Sequence, residues 1–175
     1  MPASLAQRVL KVAGPTLIPM TRESLCADLI ERYLSTCDVR FLQDERGGAY
    51  FFVPSADHQR LRVHLEISPS FGDVLTVQVT PANAFPVADR RRLTHMADAW
   101  NRRNRDVTAV VQGCSDPQRI AVVARRSQWI REGISFDRFG SFVDRTLAAA
   151  IDLFAELAPV VEVPSTTHPL LRDAG

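Results

Sequence analysis

The residues of this chain that are chemically suited to catalysis or metal binding are few and far apart. One of its four histidines, His64, precedes Glu66 by two positions in an alternating run, so both would lie on one strand face. A metal site would need a third ligand, and the sequence points to none. The pair therefore indicates a solvated strand face, and we expect no metal ion and no cofactor.

Sequence motifs of common enzyme classes are also absent. The chain has no G-x-S-x-G, G-x-x-x-x-G-K-[ST], G-x-G-x-x-G or H-E-x-x-H run, which removes the usual signatures of acyl transfer, nucleotide binding and zinc proteolysis. Cys114 would need a neighbouring base or helix end to act as a nucleophile, and the sequence shows neither. These residues therefore offer no catalytic group, and we assign no catalytic residue.

The densest group of charges consists of arginines on and after a helical segment in the middle of the chain. At 100° per residue, Arg91, Arg102 and Arg105 share one sector of that helix with Asp98. Arginines beside an apolar stripe extend along it while their guanidinium groups stay in water. These three are our candidate basic rim. A solvated rim is the favoured interpretation, and an interface rim or a nucleic-acid surface are the alternatives.

Composition indicates one ordinary globular domain. The 175 residues include 21 basic and 20 acidic side chains, a formal charge of +1, and 46% of them are hydrophobic. This balance argues against a strongly basic nucleic-acid module, and no apolar run reaches the ~18 residues of a membrane span. Three cysteines without a C-x-x-C spacing, and a start interrupted by Gly14 and Pro15, predict a reduced, cytoplasmic protein.

Hydrophobic periodicity predicts an α+β fold. Its predicted helices span 22–36, 87–104 and 135 to about 157, and its predicted strands span 39–42, 49–53, 60–67, 74–79, 107–112 and 119–124. Short connections favour antiparallel strands, while 127–133 is ambiguous. We divide the chain into an N-terminal extension (1–19), one domain (20–158) and a flexible C-terminal tail (159–175).

The last helix is more apolar than one sheet face requires. Its large side chains sweep an arc of about 200° at 100° per residue, whereas a stripe of little over ~100° suffices to cover one face. The excess would meet the first helix of the same chain or a partner subunit, and both possibilities remain open. The candidate interface residues are Phe142, Leu153 and Leu157, with Trp129 near the helix entrance, and for each the core is the commoner role.

Three short motifs carry a resemblance to a known family. Asn101-Arg102-Arg103-Asn104-Arg105 ends the middle helix, Thr21-Arg22-Glu23 opens the first, and Ile130 to Ser135 followed by Phe139 and Phe142 opens the last. In this order they resemble the YbjN family over roughly 20–158. The resemblance implies a fold like that of type III secretion chaperones: an antiparallel sheet with helices packed on it, in the order α-β-β-β-α-β-β-α.

The same resemblance implies a function class. Secretion chaperones are dimeric protein-binding modules without enzymatic activity, and the YbjN family is described as bacterial sensory transduction regulators with no assigned active site. We expect a non-enzymatic, cytoplasmic, homodimeric interaction or chaperone-like module that binds an unidentified protein. Secretion chaperones are typically acidic, and the balanced charge of this chain departs from that pattern. The alternative is a ligand binder or enzyme with a pocket between helix and sheet, and nucleic-acid binding through the middle-helix arginines is a weaker one.

Overall fold

A computed structural model describes residues 22–45, 48–54 and 61–161 of the chain. The N-terminal extension (1–19), Thr21 of the first motif and the residues after 161 lie outside the described residues. The described elements are, in order, α1 (Ala27–Thr36), β1 (Phe41–Gln43), β2 (Ala49–Phe52), β3 (Leu61–Ile67), β4 (Val74–Pro81), β5 (Phe85–Pro86), a 3₁₀ turn (Val87–Asp89), α2 (Arg90–Arg103), β6 (Thr108–Gly113), β7 (Arg119–Trp129) and α3 (Phe136–Val161).

All described strands belong to one antiparallel sheet. The order β1-β2-β3-β4-β7 ends on β7, whose other side pairs with β6. The two-residue β5 pairs with the start of β7 on the β4 side, since Ile120 lies between Phe85 of β5 and Gly113 of β6. The structure confirms the predicted α+β class and, roughly, the predicted order of elements. The predicted short run at 39–42 becomes an edge strand, and the predicted loop at 80–86 contains β5.

Alternation along the strands divides the sheet into two faces. Leu61, Val63 and Leu65 of β3 are at most 1% exposed, whereas Arg62 between them is exposed. The helices pack on the buried face, where Leu29, Leu93 and Phe139 join the inward strand residues in one core. The opposite face carries no described helix, as is usual for an antiparallel sheet with one wet side.

Element boundaries differ from the sequence predictions at both ends of the helices. The first helix begins at Ala27 instead of residue 22, because Glu23 forms an antiparallel bridge with Ile134 (N···O 3.0 and 2.7 Å) that holds this segment extended. The middle helix begins at Arg90, after the 3₁₀ turn. The last helix continues to Val161, two residues past Pro159, where we expected it to end.

The ambiguous segment 127–133 is strand as far as Trp129 and turn beyond it, and the strand predicted to end at 124 is longer than expected. β7 runs to Trp129 because β4 pairs with it along its whole end, from Val79 opposite Ala124 to Val74 opposite Trp129. On its other side the ladder with β6 stops where Thr108 lies opposite Arg125. Among the described strands, the last four residues of β7, 126–129, therefore have a neighbour on one side only.

The asparagine motif at the end of α2 fixes the position of β6. The Asn101 side chain donates to the Ala109 carbonyl (3.0 Å) and accepts from the Ala109 N–H (2.8 Å). Asn104 donates its side-chain amide to the carbonyl of Trp100 (3.3 Å), and the Trp100 indole donates to the carbonyl of Val107 (3.3 Å). The amides thus satisfy backbone groups where helix gives way to strand.

Candidate functional site

The most distinctive surface feature is an open cleft of about 1160 Å³ between the end of β7 and the first half of α3. We call it the arginine cleft. Its lining contains one acidic side chain, Glu132, against five arginines: Arg22, Arg126, Arg131, Arg138 and Arg145.

Local structure brings these five arginines together from three parts of the chain. Arg138 and Arg145 are seven positions apart on α3, about two helical turns, so they lie on one face of the helix. Arg126 lies on β7, and Arg131 follows the strand's end. Arg22 is held nearby because its neighbour Glu23 bridges to Ile134 across the base of the cleft.

Gly133 makes that bridge possible. Its φ is +75°, in the left-handed region that glycine occupies without steric cost. A Cβ at this position would lie 2.5 Å from the Glu23 carbonyl oxygen. Any other residue here would push the two segments apart, and the cleft wall that carries Arg22 would move with them.

The positive charge of the cleft is only partly neutralised by the protein. Arg22 and Glu132 form an ion pair at 2.8 Å in which both side chains are exposed, and such pairs contribute little. Around Arg138 and Arg145, no carboxylate of the described residues forms a salt bridge. An anionic ligand would therefore find guanidinium groups that have not already been matched with acids.

Arg126 is the most enclosed of the five, with its side chain 26% exposed. Its guanidinium lies 4.9 Å from the centre of the Phe142 ring. Nη1 is buried and has no hydrogen-bond acceptor in the described part of the chain, although a carboxylate oxygen of Asp106 lies 3.5 Å away. We give the unmet hydrogen bond more weight than the ion pair, because 3.5 Å is long for a charge-assisted contact.

An aromatic side chain completes the cleft at the end of β7. Trp129 is 56% exposed, and the Arg131 guanidinium lies 4.0 Å from its ring centre. The indole N–H donates to the carboxylate of Asp73, which fixes the ring against the sheet. The cleft thus combines cationic groups with an accessible aromatic surface.

Titratable groups with shifted pKa values lie away from the arginine cleft. Burial and a 2.6 Å hydrogen bond to Asp144 raise the pKa of Tyr33, and burial raises the pKa of Asp144 itself. Burial and Glu31 raise the pKa of Tyr50 to about 12, and burial lowers the pKa of His64. None of these groups lines the cleft, so they place no acid or base tuned for proton transfer there.

The described residues lack two further kinds of feature. They contain no group of three or more His, Cys, Asp or Glu side chains that could hold a metal ion. None of their helices combines the length and the apolar character needed to cross a membrane.

The candidate interface residues divide between cleft and core. Trp129 and Phe142 both line the cleft, but Phe142 is only 7% exposed. Leu153 and Leu157 are 1% and 2% exposed, within the chain's own core. The last helix packs against β4, β7 and both other helices, which leaves Phe142, Leu153 and Leu157 little surface for a partner.

The candidate basic rim lies elsewhere on the protein. Arg91 and Arg102 are exposed on α2, and Arg105 is exposed just after it. None of the three lines the arginine cleft. The arginines that do converge were missed from the sequence because they are spread from residue 22 to residue 145. The available signal was the seven-residue spacing of Arg138 and Arg145 at the start of an otherwise apolar helix.

Comparison with known proteins places the chain among its relatives. The family model described as "Putative bacterial sensory transduction regulator", YbjN, matches residues 27–159. The chain belongs to the YbjN family. No curated protein matches it.

Two solved structures are similar to this chain. The crystal structure of YbjN from E. coli, described as "a putative transcription regulator", covers 81% of this chain and all of its own, with a TM-score of 0.62 at 16% identity. A structure of an uncharacterized protein from Methanothermobacter thermautotrophicus covers 77% of this chain and 97% of its own, with a TM-score of 0.46 at 16% identity. At this identity the E. coli structure shows that the fold is shared.

Proposed function

We propose that this YbjN-family protein is a non-enzymatic regulatory module that binds an acidic polypeptide in the arginine cleft. The observation that carries the proposal is the convergence of five arginines with a single glutamate in a chain whose overall charge is only +1. Guanidinium groups bind carboxylates through paired hydrogen bonds. A protein partner with clustered acids therefore suits this surface.

Binding without catalysis agrees with the side chains present. The cleft offers mainly cations and an aromatic ring. Its lining includes Ser135 and Ser141 but no histidine, and its one carboxylate, Glu132, is paired with Arg22, whereas a hydroxyl nucleophile needs a general base beside it. A small-molecule enzyme with a pocket between helix and sheet is the alternative. Binding to nucleic acid, which the description of the E. coli protein as a transcription regulator brings to mind, is the other.

We also propose that the chain forms a homodimer in the cytoplasm. Leu42, Phe51 and Val53 are 74%, 46% and 56% exposed, and the register places Leu42 opposite Phe51 on the helix-free face of the sheet. Exposed apolar patches of this kind mark interaction sites, and this one lies beside the edge of β1 that no described strand covers.

The cytoplasmic location is supported by the cysteines. Those of the described part, including Cys26 and Cys114, are unpaired, as in a reducing compartment.

Sedimentation tests the dimer. We expect twice the 19.5 kDa of one chain at micromolar concentration, and a monomer after Leu42→Glu, which places a charge in the patch. Leu42 is exposed, so this change leaves the core intact. A monomeric wild-type protein would refute the dimer and leave the proposal for the arginine cleft unaffected.

Calorimetric titration with poly-L-glutamate tests the cleft. The double variant Arg138→Glu/Arg145→Glu reverses two exposed cleft charges. If each lost charge contact contributes about 1 kcal/mol, affinity falls about 30-fold. Arg91→Glu/Arg102→Glu makes the same charge change on α2 and serves as the matched control. Equal affinity of the two variants would contradict the proposed site.

A further inference from the structure

The end of β7 exposes backbone hydrogen-bonding groups toward the arginine cleft. The Ile130 N–H donates to the Asp73 carbonyl at 2.6 Å, so Ile130 points its backbone groups toward β4. Alternate residues of an antiparallel ladder point their groups to opposite sides. Ser127 and Trp129 therefore point theirs away from β4, beyond the residue where β6 stops pairing.

This segment is an incomplete edge in an otherwise paired region. Between Arg126 and Trp129 no described strand lies on the β6 side. The two N–H and two C=O groups of Ser127 and Trp129 therefore have no described strand to pair with. At about 3.3 Å per residue, the four-residue edge is about 13 Å long. An unpaired edge of this kind is a template for an added strand.

The side chains along this edge determine what kind of strand would fit. Arg126 lies on the helix-covered face, since its guanidinium packs on Phe142 of α3. Ser127 lies on the opposite face, where its hydroxyl is 2.9 Å from that of Thr76. An added strand would thus have one face toward Arg126 and the α3 arginines, and its other face level with Ser127 and Trp129.

We propose that the ligand of the arginine cleft is an extended peptide segment with an acidic residue at every second position, which pairs antiparallel with residues 126–129 of β7. This inference rests on the proposed function and specifies its partner. Backbone hydrogen bonds to Ser127 and Trp129 supply affinity that does not depend on sequence, as in other strand additions. Alternating acids supply specificity, because only one face of the added strand meets Arg126, Arg138 and Arg145.

The direction of pairing makes a specific statement about the peptide backbone. In an antiparallel pair, directly opposite residues share a face and both point their backbone groups toward, or both away from, each other. Peptide residues opposite Ser127 and Trp129 therefore bond to β7 and are the non-acidic ones. The acidic residues, opposite Arg126 and Gln128, point their N–H groups away.

Backbone methylation tests this statement with the full chain unchanged. The probe is a fluorescein-labelled ten-residue peptide that alternates glutamate and valine, and binding is followed by anisotropy. We expect N-methylation of the central valines to weaken binding at least about tenfold, and N-methylation of the central glutamates to change it less than about twofold. A block peptide of five glutamates followed by five valines controls for composition and should bind at least about tenfold more weakly.

Amide exchange locates the contact independently of affinity. We expect the bound peptide to slow hydrogen exchange at Ser127 and Trp129, and to leave Gln128, whose N–H already faces β4, unchanged.

The outcomes separate this inference from the proposed function. If both methylated peptides bind as well as the parent and Arg138→Glu/Arg145→Glu abolishes binding, strand addition is refuted while the acidic-partner proposal stands. If no acidic peptide binds at low salt, both are refuted. A ten-nucleotide thymidine oligomer that binds in place of the peptide, with the same loss on charge reversal, would overturn both in favour of a single-stranded nucleic acid.

Discussion

Replacement of Asn101 by alanine tests whether the family's asparagine motif is structural. The substitution removes the donor to the Ala109 carbonyl and the acceptor for its N–H, at 3.0 and 2.8 Å. Ala109 is 4% exposed, so water replaces these partners poorly. A buried polar group left without a partner costs about 1–3 kcal/mol, and for the two groups we expect a total of about 3 kcal/mol.

Thermal and urea unfolding measure this loss. For a chain of this size, about 3 kcal/mol corresponds to a fall in Tm of roughly 6–12 °C. Arg102→Ala, at the adjacent exposed position, is the control and should change stability by less than about 0.5 kcal/mol. Asn101→Asp keeps an acceptor for the Ala109 N–H but sets a carboxylate oxygen against the Ala109 carbonyl, so most of the loss should remain.

The reasoning would be refuted if Asn101→Ala unfolded within about 1 kcal/mol of the Arg102→Ala control. It would also be refuted if Asn101→Ala kept full stability and lost binding of poly-L-glutamate, since that result would make Asn101 a binding residue.

Three further predictions concern the wall of the cleft and the packing of α1 on α3. Gly133→Ala should cost about 1–3 kcal/mol from its positive φ alone, with further loss because its Cβ would meet Glu23 at 2.5 Å; unchanged urea unfolding would contradict this. Tyr33→Phe leaves Asp144 without its hydrogen-bond donor and should lower the free energy of unfolding by about 1–3 kcal/mol. A loss below about 0.5 kcal/mol, the scatter of surface changes, would show that the contact does not stabilise the fold. Burial raises the folded pKa of Asp144, so its stabilising contribution is full below the unfolded pKa of about 4 and is lost as pH rises through the folded pKa. Asp144→Asn, which still accepts from Tyr33, should therefore flatten the fall in stability across that interval, and an unaltered pH profile would argue against it.

Much of the fold follows from local sequence pattern. Strict alternation from Arg60 to Ile67 gives β3 almost to the residue, because Leu61, Val63 and Leu65 are buried on one face while Arg62 on the other is exposed. The predicted start of α1 was wrong by five residues. Glu23 pairs with Ile134, 111 positions away, and the periodicity of the sequence does not encode such a contact. The end of β7 was undecided for the same reason, because only its pairing with β4 makes 126–129 a strand.

The candidate site was harder to predict than the fold. Trp129 was named from its place before the last helix and does line the cleft. The clustered arginines of α2 drew attention because they are close in sequence, but they lie away from the cleft. Arg22, Arg126 and Arg145 meet only after the sheet has formed, so their convergence is a property of the tertiary structure.

Trp129 provides the most direct test of the central claim, that the arginine cleft binds an acidic polypeptide. It is 56% exposed in the cleft, whereas Trp100, the other tryptophan, is 4% exposed in the core, so a change in tryptophan emission reports mainly on the cleft. We expect the alternating glutamate–valine peptide to produce a saturable change at low salt that weakens as salt screens the charges. Arg138→Glu/Arg145→Glu should shift its midpoint to about 30-fold higher peptide concentration, and Arg91→Glu/Arg102→Glu should leave the midpoint unchanged. No saturable change in the wild-type protein, or the same change in all three proteins, would contradict the claim.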